Sequence, residues 1–546
     1  MPDALHEWVA RKAERDPGAT AVVSSDEHLS YGELELRANQ LARLLRELGC
    51  RKGDRVCLLM PKSPLAIIAI VAVYKLGGIY VPLDPQSPSA RLAKMVASCD
   101  TRWILAAGAN GARLVGELVQ QDEFRDRLSI GWMEPRVPEA LNGQTRFSWS
   151  DVTAMPDDAP ATPVYGGDPA HILFTSGSTG MPKGVVITHA NVRHFIGWGL
   201  TYFGIDANDR LSGHTPLHFD LSVFDLWATF AAGAQLHLVP DALNVIPAKL
   251  AAWMRAARLT QWFSVPAILN YMAKFDVVQT HDFPSMKRLL WCGEVLPTAS
   301  LRYWMQRLPH VNFTNLYGPT ETTIASSYHT VATCPADDRA AIPIGVACAG
   351  ESLLVLDEAM HPVAPGETGE LYIGGSGLSL GYWNDAERTR SAFVQNPQRS
   401  DGPERLYRTG DLGRVGADGL MYFVGRADSQ IKSRGYRIEL GEIEAALSAM
   451  ACLRECAVVA VPSEGFEGVA IGCAYVPTTE ADVTPVSLRA ALERAVPRYM
   501  IPTHWMAFAE LPKNANGKID RPRLRQALQA LAFGDSTQKV DEVCAT

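Results

Sequence analysis

Short apolar stretches alternating with helical ones constrain this chain most. DRVCLLM is followed by the apolar run PLAIIAIVAVY (Pro64 to Tyr74), then by IYVPLD and TRWILAA. The run is bounded by Lys62 and Lys75 and is too short to cross a bilayer, so it reads as a buried helix. Strands separated by helices of this length predict an α/β body around a buried, mostly parallel sheet. The same rhythm returns as a helix around Asn191 to Thr201, the strand QLHLVP, a helix from Pro247 to Ala257 and the strand-like WFSVP. Two further helices open the chain: LHEWVARKAERDPGA, stopped by Pro17 and Gly18, and YGELELRANQLARLLRELG, ended by Gly49.

After about Pro343 the pattern shortens. GESLLVLDEAMHPVAPGETGELYIGG and LYRTGDLGRVGADGLMYFVGR alternate briefly between Gly and Asp-Gly turns, which predicts antiparallel sheet. From Gly441 the order becomes helix, strand, strand, helix, a small α+β unit. The expected division is a large domain over 1–427, with an antiparallel part at about 344–427, a small domain over 428–530, and a disordered tail over 531–546. At 546 residues the chain is too long for one core, and 47% hydrophobic residues supply ample material for two. A formal charge of -8 leaves no basic surplus for a nucleic-acid partner. Ten cysteines scattered singly read as reduced thiols of a cytoplasmic protein, and the charged N-terminus lacks the apolar core of a signal peptide. His214 and His218 are four apart, but Pro216 lies between them and no third ligand is evident, which argues against a zinc helix.

The chemistry begins with HILFTSGSTGMPKGV, residues 171–185. Lys183 follows Met181 and Pro182, so the ending of the ordinary P-loop is absent. Gly177, Gly180 and Gly184 nevertheless permit tight turns with exposed N–H groups, and Thr175, Ser176, Ser178 and Thr179 add hydroxyls, a composition that suits phosphate oxygens. A bare surface turn is the competing reading. Together with NLYGPTETT (Asn315 to Thr323), LYRTGD (Leu406 to Asp411), GRADSQIKSRGYRIELGEIE (Gly425 to Glu444) and PKNANGKIDR (Pro512 to Arg521), the loop resembles the acyl-adenylate-forming enzymes. Within them it is most similar to the amino-acid adenylation domains of nonribosomal peptide synthesis, from about Tyr31 to Arg521, with the motifs in family order.

The resemblance implies a large N-terminal domain, a small mobile C-terminal domain, ATP and Mg2+. It puts Thr175, Ser176, Gly177, Ser178, Thr179, Gly180 and Lys183 on the phosphates, with Tyr317 against adenine and Gly318 also at the nucleotide. Thr320 falls at the α-phosphate, Glu321 on magnesium, Asp411 on the ribose hydroxyls, and Arg426 near the nucleotide. Lys518 would bridge carboxylate and phosphate oxygens as they combine, a stabilisation needed mainly in the transition state. Asp428 matches the hinge about which the small domain turns between half-reactions, and the glycine-containing strand at Gly435 and Tyr436 would line the tunnel for a phosphopantetheine thiol.

In PLHFDLSVFDLW, Asp220 matches the aspartate that pairs with the ammonium of an α-amino acid. A helix N-cap is the competing reading, because LSVFDLWATF looks helical. The other pocket positions map to Leu221, Phe224, Phe263, Leu290, Cys292, Leu316, Ile324 and Ala325, all apolar or nearly so. Such a set disfavours a charged side chain, and its two phenylalanines favour a compact aliphatic or cyclic one. It resembles the pocket of prolyl-activating members, which implies L-proline. Ala325 departs from the small thiol-bearing residue expected there, so pipecolate, an azetidine acid, valine and 2-aminobutyrate stay open. Only 28 residues follow Lys518, without a carrier-protein site, so a free-standing enzyme loading a separate peptidyl carrier protein is expected. An acyl-CoA ligase and a noncatalytic adenylate-binding module are the alternatives.

Overall fold

The computed structural model describes residues 3–25, 27–177, 180–398, 404–463, 469–478, 483–514 and 519–532. The chain forms two compact units. One comprises Met1–Pro85, Met95–Phe174 and Gly184–Ala427; the other comprises Gln86–Lys94, Thr175–Lys183 and Asp428–Thr546. A contiguous division at 427 does not anticipate that the segments 86–94 and 175–183 group with the C-terminal residues.

The first unit is an α/β body of two large sheets and a smaller antiparallel one. Its eight-stranded sheet runs, from one edge, Thr145–Ser148, Ser129–Trp132, Trp103–Ala106, Arg55–Leu59, Ile79–Pro82, β1 (Pro169–Thr175), β2 (Lys183–Thr188) and Gly381–Tyr382. The pairs from Thr145–Ser148 through β1 are parallel, and Gly381–Tyr382 adds antiparallel to β2. The nine-stranded sheet runs His28–Ser30, Thr20–Val23, Gln235–Leu238, Arg210–Gly213, β3 (Gln261–Ser264), β4 (Arg288–Cys292), β5 (Asn312–Tyr317), Ser327–Thr330 and Val346–Ala347. Its interior pairs are parallel and its margins antiparallel. The third sheet joins Glu351–Leu356, Gly369–Gly375, Phe393–Gln395, β6 (Arg405–Val415) and β7 (Met421–Arg426), antiparallel throughout.

Local chemistry fixes the helices. Pro64–Lys75 starts with Pro64 at its first turn and Ser63 capping the Ala66 amide, and it is buried on every side, as an apolar run without a polar stripe must be. Each fully buried Ile or Val in it contributes roughly 1.5–3 kcal/mol of transfer free energy. Helix Tyr31–Glu47 begins with a reciprocal box: Ser30 Oγ accepts from the Glu33 amide at 3.2 Å, and Glu33 accepts from the Ser30 amide at 2.8 Å. Two further helices position the site, α1 (His189–Phe203) and α2 (Leu221–Ala232).

In the second unit a two-stranded hairpin, β8 (Gln430–Ser433) and β9 (Tyr436–Glu439), precedes a three-stranded sheet of Leu453–Pro462, Val469–Pro477 and His504–Ala507. Alternate residues of Leu453–Pro462 face opposite cores: Val458 joins Ile443, Leu488 and Leu492, whereas Val459 and Val461 join Leu524 and Leu528. Among the described residues no helix is long and apolar enough to cross a membrane.

Candidate active site

Strand register builds one wall of the expected acid pocket. Phe263 on β3 stands opposite Leu290 on β4, and Cys292, two residues on, stands opposite Leu316 on β5. With side chains alternating along a strand, these four share a face. Leu221 and Phe224 are one turn apart on α2 and so share a helix face. The Phe224 ring meets Phe263 edge to face at 5.6 Å and 90°. Ile324 and Ala325 arrive on the segment after β5, where the Ile324 carbonyl accepts a weak bond from Cys292 Sγ at 3.9 Å. All eight are buried, none more than 4% exposed.

That segment is bent in an unusual way. Thr323 and Ile324 have φ of +62° and +72°, a conformation that costs β-branched residues about 1–3 kcal/mol each. Close approach holds the bend: a Cβ on Gly318 would sit 2.5 Å from the Ala325 Cα, and the Ser326 amide donates to the Tyr317 carbonyl at 2.7 Å. Thr323 Oγ1 donates to the Gly377 carbonyl at 2.6 Å. The strain turns Ile324 and Ala325 back beside β4.

Asp220 occupies the N-cap position of α2, yet its φ and ψ of -65° and -25° are helical and its side chain makes no capping bond. Its Oδ2 accepts instead from Thr320 Oγ1 at 2.8 Å. The competing N-cap reading thus has the position right and the interaction wrong. The loop leading to Asp220 is tied down by Lys62, whose Nζ donates to the His214 carbonyl at 2.6 Å and pairs with Asp241 at 3.3 Å. Burial lowers the Lys62 ammonium below its usual range.

Glu321, next to Thr320, is fully buried and accepts from the Tyr382 hydroxyl at 2.8 Å. Tyr382 lies outside every motif read from the sequence; pairing of Gly381–Tyr382 with β2 brings it there. A buried carboxylate oxygen is the hard donor that Mg2+ takes. No cluster of three His, Cys, Asp or Glu residues suited to a metal occurs among the described residues.

Three residues of separate motifs meet at Asp411. Its Oδ2 accepts from the Tyr317 hydroxyl at 2.6 Å, and its Oδ1 pairs with the Arg426 guanidinium. Strand pairing sets Asp411 on β6 directly opposite Arg426 on β7. Burial, reinforced by the Asp411 charge, pushes the Tyr317 phenol well above its ordinary pKa. Each carboxylate oxygen carries a second acceptor site that suits a ribose hydroxyl.

In the second unit, Ser176 Oγ donates to the Arg437 carbonyl at 2.6 Å, and Gly180 has φ of +76°. Thr175 Oγ1 is buried with no partner among the described residues. Gly177 is buried, whereas Lys183, the first residue of β2, is partly exposed. Ser178, Thr179 and Lys518 lie outside the described residues, as do residues 533–546 of the expected tail. Asp428 Oδ1 accepts from the Gln430 amide at 3.0 Å. Gly435 belongs to a turn rather than a strand: Arg434 and Gly435, with φ of +55° and +82°, form the two-residue connection between β8 and β9. Tyr436 opens β9 and stacks on Tyr499 at 3.6 Å.

Sequence comparison identifies residues 9–383 as an AMP-binding enzyme and residues 442–518 as an AMP-binding enzyme C-terminal domain. The chain is 33% identical over 528 residues to the L-proline–[L-prolyl-carrier protein] ligase of Pseudomonas fluorescens, covering 96% of this chain and 99% of that protein. It is 33% identical over 530 residues to tyrocidine synthase 3 of Brevibacillus parabrevis, covering 97% of this chain but only 8% of that protein. Among solved structures, the Vibrio cholerae adenylation domain AlmE in complex with glycyl-adenosine-5'-phosphate superposes with a TM-score of 0.82 at 26% identity, covering 97% of this chain and 98% of that one. The motifs, the layered sheets and these matches together make the chain a member of the AMP-binding enzyme family.

Proposed function

We propose that the protein activates a small apolar α-amino acid, L-proline first, as its aminoacyl adenylate and then passes it to the phosphopantetheine thiol of a carrier protein. The observation that carries this reading is Asp220, a partly buried carboxylate that directly precedes buried Leu221 at the start of α2 and accepts a hydrogen bond from Thr320. A carboxylate beside apolar walls is costly unless a cation compensates, and the ammonium of an amino acid supplies one. The 33% identity to a prolyl-carrier-protein ligase over nearly the full length of both proteins supports the substrate and the partner.

In the reaction the amino-acid carboxylate attacks the α-phosphorus of ATP and pyrophosphate leaves. Asp220 orients the acid through its nitrogen, and once that ammonium takes its place on Asp220 the Thr320 hydroxyl is released to donate to the phosphate oxygens. Glu321 would hold Mg2+, which neutralises charge on the phosphates when bound. Lys518 stabilises the developing negative charge between the two reactants. Asp411 takes the ribose hydroxyls, with Arg426 fixing its orientation, and the Thr175–Lys183 loop receives the polyphosphate. In the second half-reaction the carrier thiolate attacks the acyl carbon and AMP departs. We place this chemistry in the cytoplasm, in keeping with ten cysteines scattered singly along the sequence.

ATP–pyrophosphate exchange driven by a panel of amino, aryl and fatty acids tests the reading. Exchange is expected with small apolar α-amino acids alone; exchange led by an acid without an amine overturns it.

A further inference from the structure

Phe224 is fully buried, yet its place is set from behind by a residue that no motif contains. On α1, Phe195, Gly199 and Phe203 are spaced by four and so share one helix face. The Phe224 ring meets Phe195 at 5.5 Å and 71° and Phe203 at 6.2 Å and 64°, edge to face in both cases. Between those two rings the helix offers only Gly199. A Cβ there would lie 2.7 Å from Phe224 Cε2 and 3.3 Å from Cζ. Glycine inside a helix is less favourable than alanine, so the missing methyl costs α1 stability and gains space.

We propose that Gly199 is a specificity-determining positioning residue: it lets Phe224 withdraw toward α1 and thereby sets the width of the acid pocket. The inference rests on the reading of Phe224 as a wall of that pocket. A methyl at 199 must drive the ring off α1. Phe224 also packs edge to face on Phe263, an expected pocket residue, so a ring driven off α1 takes space from the acid's side chain. The ring edge is the far end of a side chain hinged at α2, so it moves before backbone does.

The test compares kcat and KM for L-proline, pipecolate, L-alanine and glycine in the wild type, Gly199→Ala, and Gly199→Ala combined with Phe224→Leu. Gly116→Ala is the control, because Gly116 also lies inside a helix but a Cβ there meets nothing within 4 Å. Gly199→Ala is expected to lower kcat/KM for proline and pipecolate relative to alanine and glycine by about 10-fold or more, the scale on which a methylene is discriminated. KM for ATP is expected to be unchanged, and Phe224→Leu to restore the larger acids. Unchanged selectivity, or an equal loss for all acids that Phe224→Leu fails to reverse, overturns the proposal. A crystal structure of Gly199→Ala decides without turnover: a ring displaced from α1 supports the proposal, and an unmoved ring refutes it. A wild type inactive with every amine-bearing acid removes the adenylation reading instead, leaving the ring's position to be judged from that structure.

Discussion

Asp220 shows how one residue type supports two sequence readings that only geometry separates. An aspartate before LSVFDLWATF suits an N-cap as well as it suits an ammonium, and composition does not choose between them. Backbone dihedrals do: a capping residue takes extended φ and ψ, whereas Asp220 is already helical and bonds to Thr320. Asp220→Ala should therefore leave unfolding free energy within less than the ~1 kcal/mol of a lost cap. The same variant should lower kcat/KM for amino acids by about 30- to 4,000-fold, the range for removing one partner of a buried charge pair at about 2–5 kcal/mol. Chemical denaturation and exchange kinetics on one preparation check both; a large stability loss with modest kinetic loss would restore the cap. Tyr382 was not legible in the same way, because its bond to Glu321 depends on a strand pairing 197 residues away from Val185 in sequence.

At the scale of elements, helix α2 carries Leu221 and Phe224 on one face and a buried carboxyl on another. Asp225 is 1% exposed, and burial raises its pKa well above the usual carboxylate value, with the Lys62 charge and the His214 amide opposing the rise. An unfolded aspartate ionises near 3.8, so above that pH the unfolded chain releases a proton that the folded protein retains, and stability falls as pH rises. Asp225→Asn removes the penalty. Its melting temperature should exceed the wild type's at pH 7, and the gain should shrink as the pH approaches 3.8; a variant less stable at pH 7 would mean a charged Asp225 paired with Lys62. Pro64–Lys75 was legible as an unbroken apolar run of helical length bounded by lysines, and Pro247–Ala257 by the proline at its first turn and its apolar spacing. The bend at Thr323 and Ile324 was not, since β-branched residues argue locally against positive φ and the contacts that hold it, Gly318 against Ala325 and Thr323 on Gly377, are tertiary.

For the whole molecule, motif order carried further than periodicity. It identified the family, while length and the change of pattern from Gly441 yielded the two-part construction; neither anticipates the grouping of 86–94 and 175–183 with the C-terminal unit, which is a matter of long-range contacts. We propose that Asp428 is the hinge between half-reactions. Asp428→Pro, which fixes φ at that residue, should retain most pyrophosphate exchange and lose carrier loading by at least about 10-fold. Lys518→Ala should do the reverse, losing exchange while still transferring from supplied aminoacyl adenylate. Intact-mass measurement of the carrier, beside the exchange rate, separates the two; parallel loss of both steps in Asp428→Pro would remove the hinge. The central claim, activation of an acid held by its nitrogen at Asp220, meets its most direct test in pyrophosphate exchange with L-proline and with cyclopentanecarboxylate, which keeps the ring and replaces the nitrogen by carbon. Exchange is expected with proline, and a kcat/KM at least about 30-fold lower with the carbon analogue. Equal exchange with both acids would contradict it.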